Sequence, residues 1–189
     1  VFGSALPQHK PPGVTTAAMP ARVGRAARLA DAIDRVVDGV GQLSAVAVAA
    51  LVVVMSANVL LRYGFSIGSV WAQELEWHLL SPIALIGAAY ALRHGEHVRV
   101  DVLYAGFPDR AKALVDLFAG LAGIAISLAV IWLSWRYVGV SWNNAEGSPN
   151  PGGIPARYLL KAFIPIGFAL LLAQFTAETL RALARLRAA

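Results

Sequence analysis

The sequence contains no cysteine. Disulfides, thiol catalysis and cysteine-ligated metals are therefore excluded, and the compartment is left open. Charge is scarce as well. Of 189 residues only 14% are charged, 58% are hydrophobic, and the mean hydropathy is +0.62. Soluble domains carry about 25% charged and about 45–50% apolar residues. A chain this short of charge reads as a membrane protein before any motif is considered. Histidine is limited to four residues, of which only His78 falls within a long apolar run. That argues against a haem held between histidines on facing helices. The formal net charge of +5 does not point to nucleic acid, because no basic stripe with interleaved aromatics is present.

What the sequence does have is long apolar runs. A membrane-spanning helix needs about 20 predominantly apolar residues. Four stretches qualify, at about 41–61, 71–92, 113–138 and 158–180. The fold class expected is an all-α membrane protein, with a four-helix membrane domain over 41–183. Residues 1–20, rich in Pro, Gly, Thr and Ala, read as a disordered leader. Residues 21–40 read as an amphipathic interfacial helix that feeds into the first span. Val23, Ala26, Ala30, Ile33, Val37 and Val40 recur at helical spacing, and Arg28, Asp31, Arg35 and Asp38 form a charged stripe. Residues 184–189 form a basic tail. Pro108 closes the segment after the second span, and Asp109 is placed to cap the third helix.

Lysine and arginine set the expected orientation. Twelve of them flank the spans on the side of the termini and the second-to-third connection, and four lie on the other side: Arg62, Arg136, Arg157 and Lys161. Both termini are therefore expected in the cytoplasm. Trp71, Trp77, Trp132, Trp135, Tyr137 and Trp142 then gather at the outer interface, as an aromatic belt does. The outer connection, from Gly139 to Ala156, is dense in Gly, Pro, Asn and Ser, a turn-rich composition.

The middle of every span is free of charge. An ionisable group there would be a functional hypothesis by default, so the chain alone makes a poor proton relay or ion-coupled carrier. Glu74, Glu76 and His78 sit near the start of the second span. Glu74 and His78 share a helix face, being four apart, and Glu76 lies on another. Glu74 is a candidate for contact with a partner chain's cation. His94 and His97, three apart with Glu96 between them and Asp101 beyond, outline a metal site, but zinc needs three or four convergent ligands. The simpler reading is a polar loop, and no cofactor is expected. Four-residue offsets between small residues (Ala45 and Ala49, Ala84 and Ala88, Gly87 and Ala91, Ala119 and Gly123) offer surfaces for close helix packing.

Arg62 and Tyr63 close the first span, and Trp71, Gln73 and Glu74 open the second. There follow Gly87, Ala88, Ala89, Arg93, Gly95, His97, Val98, Val100 and Asp101. This pattern resembles the small membrane subunit (DctQ-like) of tripartite ATP-independent periplasmic, or TRAP, transporters. Ile154, Pro155, Ile164, Pro165, Ile166 and Gly167 resemble that family's approach to its fourth span. The likeness covers about residues 36–181. Where the family often has two adjacent acids, this sequence has Gln73 and then Glu74. The resemblance implies a non-enzymatic support subunit in the bacterial inner membrane. Its partners would be a large TRAP membrane subunit, which holds the substrate and Na⁺ sites, and a periplasmic substrate-binding protein that delivers an organic acid. Candidate interface or structural residues are Arg62, Trp71, Glu74, Arg93, His97 and Asp101. Two other readings stay open: a self-contained homo-oligomeric channel or exporter, and a metal-binding membrane enzyme using His94 and His97.

Overall fold

The computed structural model describes residues 24–95 and 106–188. Among them the chain forms four long helices and no strand: α1 (Arg25–Phe65), α2 (Val70–His94), α3 (Asp109–Asn143) and α4 (Arg157–Ala188). Each is long and apolar enough to cross a membrane. The expected all-α membrane fold is what the chain adopts.

The helix ends follow from local chemistry. α1 stops where Ser66 turns left-handed, at φ 58°, and the Ile67 amide donates to the Leu61 carbonyl at 3.0 Å. Ser69 then starts α2 by accepting the Ala72 amide at 3.3 Å. α2 ends at Gly95, whose φ of 74° a side chain would strain. Pro108 occupies the cap position of α3 and makes no side-chain cap bond. Asp109 is therefore not the cap anticipated for it. It is the first helical residue, and its charge complements the helix N-terminus instead.

The expected spans are shorter than the helices that contain them. At 1.5 Å per residue, α1 with its 41 residues is about 61 Å long, twice a hydrocarbon core of about 30 Å. The amphipathic segment is continuous with the first span. No break separates residues 40 and 41.

α4 is the hub. It packs along α3 and also contacts both α1 and α2, which contact each other; α3 has its extensive contact with α4 only. Close approach is set by glycines. A Cβ on Gly41 of α1 would lie 2.2 Å from the Tyr90 ring of α2, and one on Gly167 of α4 would lie 2.6 Å from Leu85 Cβ. Gly120 and Gly123 make the same room on α3 for Thr179 and Phe175 of α4. Of the small-residue pairs read from the sequence, Gly123 serves this internal packing, whereas Ala45, Ala49, Ala84, Ala88 and Ala119 are exposed. Offset alone cannot tell an inward small face from an outward one. The six aromatics of the expected belt are all exposed.

Candidate functional site

The charged side chains that enter the bundle collect at its two ends, while Ser127, in the middle of α3, is buried without a charged neighbour on its helix. At the end holding the start of α1 and the close of α4, Asp34 stands at the junction of three helices. Its carboxylate is paired with Arg181 of α4, lies 3.9 Å from Arg93 Nε of α2, and accepts from Gln174 Nε2 at 3.4 Å. Arg93 also donates to the Asp34 carbonyl and pairs with Asp38. His94 Nε2 lies 3.2 Å from Asp38 Oδ1, and its ring rests against Tyr90 at 4.3 Å. Arg181 reaches Glu178 at 2.8 Å, and Gln174, fully buried, also donates to Glu178 at 3.3 Å. α3 joins this end through Arg185 and Asp116, 3.1 Å apart.

The local reason lies in the register of α1. Ala30, Val37, Gly41 and Ser44 form its buried face. Asp34 falls on the same face, at spacings of four and three from Ala30 and Val37. A carboxylate aimed into a bundle needs paired charge, and Arg93 and Arg181 supply it from two different helices.

At the other end Glu74 is the organising residue. It is 6% exposed, and both of its oxygens are engaged. Oε1 accepts from Ser148 Oγ and from Asn150 Nδ2 at 3.1 Å, and Oε2 accepts from the Ile154 amide at 2.7 Å. The α3–α4 connection is thus wrapped around one carboxylate of α2. Gly153 is required there, because a Cβ would lie 2.6 Å from Glu74 Oε2 and 2.3 Å from Ser148 Oγ. Close by, Asn58 of α1 donates to Glu76 of α2 at 3.0 Å, so the two acids do face different elements. Lys161 of α4 pairs with Glu146 and lies 4.1 Å over the Tyr137 ring. That ammonium holds the Glu146 carboxyl below the usual carboxylate range.

The residues singled out from sequence are distributed as follows. Glu74 and Arg93 sit in the two clusters, at opposite ends of α2. Arg62 and Trp71 are exposed on the last turn of α1 and the first turn of α2. His97 and Asp101, with Glu96, lie outside the described residues. Among the described residues no group of three metal-ligating side chains converges. His94 is committed to Asp38 and Tyr90. Sequence reasoning missed Asp34, Gln174, Ser148 and Asn150. The signal for Asp34 was present, an acid at helical spacing within an otherwise apolar stripe.

Residues 51–185 match the family described as tripartite ATP-independent periplasmic transporters, DctQ component. The chain belongs to the DctQ family. As a member it is a multi-pass protein of the bacterial inner membrane. It is similar to the C4-dicarboxylate TRAP transporter small permease protein DctQ of Vibrio cholerae, at 27% identity over 67% of this chain and 63% of that one. It is 30% identical to a TRAP transporter small permease protein of Haemophilus influenzae over 46% of this chain and 54% of that one. It is 24% identical to the ectoine TRAP transporter small permease protein TeaB of Halomonas elongata, over 68% of each. The alignment thus spans under two thirds of the first two relatives. These relatives are DctQ-type transporter subunits rather than enzymes.

Proposed function

We propose that this DctQ-family chain is the small membrane subunit of a TRAP transporter. It supports a large membrane subunit in Na⁺-coupled uptake of an organic acid delivered by a periplasmic binding protein. One observation supports the division of labour. The charged groups drawn into the bundle are gathered at its two ends and tied to the chain's own loops and helices, and between those ends the helices carry no charge. A solute-coupling site of the secondary-transporter kind would lie near mid-depth, on interrupted helices. The four helices here are uninterrupted, although Pro82 and Pro165 lie inside two of them.

Two of the relatives are named for different solutes, C4-dicarboxylate and ectoine. That supports locating solute choice in other components. The proposed orientation has both termini and the Asp34 cluster cytoplasmic, with the Glu74 cluster facing the periplasm. It rests on the bias of Lys and Arg towards the first of these ends.

The test is reconstitution. The chain alone in liposomes shows no organic-acid uptake with or without a Na⁺ gradient. Uptake appears when a large subunit and a binding protein are added. Na⁺-driven uptake by the chain alone would overturn the reading and favour a self-contained carrier.

A further inference from the structure

An open groove of about 280 Å³ runs between α1 and α4, lined by Ala32, Ile33, Val36, Val37, Leu170 and Ala173. Its lining is wholly aliphatic. Thr176, one turn beyond Ala173, spends its hydroxyl on the Leu172 carbonyl of its own helix at 2.7 Å, so this border offers no free polar group. The groove lies just before the apolar run that begins at Val40, at the depth where acyl chains meet headgroups. Its walls are short, less than two turns of α1 and one turn of α4. A single flexible hydrocarbon chain fits a seat of this length.

The groove has a charged rim. Arg25, Leu29, Ala32 and Val36 follow one another at offsets of four, three and four, so Arg25 stands over the groove on its own face of α1. On α4, Ala173, Leu180, Ala184 and Arg187 repeat at offsets of seven, four and three, which places Arg187 above the other wall. Both arginines are exposed, and among the described residues neither forms an ion pair. Asp31, the exposed acid of this part of α1, lies on the opposite side of the helix, about 170° from the groove at 100° per residue. Leu29 and Val36, 52% and 56% exposed, continue the apolar surface up to the cations.

We infer that this groove binds one anionic phospholipid, with an acyl chain between α1 and α4 and the phosphate between Arg25 and Arg187. Apolar groove and basic rim fall in the order in which a lipid presents its chain and its headgroup. Each arginine near an anionic headgroup favours it about fivefold.

The test is native mass spectrometry of the purified chain titrated with phosphatidylglycerol or phosphatidylcholine of identical acyl composition. Phosphatidylglycerol is retained preferentially. In Arg25→Gln/Arg187→Gln that preference collapses towards unity, and each single variant lowers it about fivefold. Ala173→Phe, which fills the groove, lowers retention of both lipids. Arg136→Gln, at the far end of α3, leaves the preference unchanged. Equal retention of the two lipids by the unmodified chain, or a preference that survives the double variant, overturns the inference. So does a photo-crosslinker at Ala173 that captures a protein neighbour instead of lipid in membranes.

Discussion

Asp34 and Arg181 are separated by 147 residues of chain and meet as an ion pair between the first and last helices. Arg93 joins them from α2. A carboxylate 16% exposed and shared by two guanidiniums holds three helices at one point. Removing it takes away the charge that Arg93 and Arg181 share and leaves each to its second partner, Asp38 and Glu178.

Asp34→Asn is therefore expected to lower stability in detergent by about 2 kcal/mol, the range for hydrogen bonds to charged groups. Thermal unfolding of the purified chain measures it. Combined with Arg181→Gln, the loss should be well below the sum of the two single losses, because both variants break the same contact. Strict additivity would show that the pair is not coupled.

Glu74 predicts a different phenotype. Its three donors all come from residues 148–154, so a variant should loosen that connection while leaving the far end of the bundle intact. The chain's lack of cysteine makes the measurement clean. A single cysteine at Asn144 should react faster with a membrane-impermeant maleimide in Glu74→Gln than in the otherwise unmodified chain. In a reconstituted transporter, Glu74→Gln should lower uptake together with subunit co-purification. Normal co-purification with lost uptake would place Glu74 in the transport steps themselves.

Gly41→Ala tests the α1–α2 approach. The added methyl meets the Tyr90 ring and also its Cβ, at 3.0 Å, so the side chain cannot simply swing its tip away. Overpacking of this kind costs about 1–3 kcal/mol. Tyr90→Ala in the same chain should recover part of the loss. Gly39→Ala, two residues earlier with nothing within 4 Å, is the matched control and should be neutral or mildly stabilising.

Orientation is tested with reporter tags. Tags at Ala189 and before Arg22 should report cytoplasm, and one near Gly152 should report periplasm. Opposite reports from the two terminal tags would be incompatible with four crossings, and a periplasmic report from both would invert the orientation.

The helices themselves were legible in the sequence, because twenty apolar residues without charge admit few other structures. Their ends were less so. Hydropathy marks where a helix is apolar, and it stops at Leu61 and Val138 while the backbone continues to Phe65 and Asn143. Glu74 stood out as an expensive residue, but its donors lie 74–80 residues away in a loop whose composition reads only as irregular. Asp34 was overlooked for the opposite reason. It lies before the first span, where charge is unremarkable, and its place on the apolar stripe gains meaning only from the packing of α2 and α4. Arg93 drew attention through its place in a family-like stretch, and its partners on α1 became visible only once α1 was continuous past residue 40.

The central position of α4 has a consequence for biosynthesis. A ribosome delivers α1, α2 and α3 to the membrane before the helix on which all three pack. α1 and α2 can pair early, whereas α3 must wait in lipid for its neighbour, and Asp34 waits without Arg181. Assembly is therefore completed by α4, through contacts that reach back 147 residues to Asp34. Any premature stop before Arg157 should leave three inserted but unassembled helices for the cell's quality control to remove.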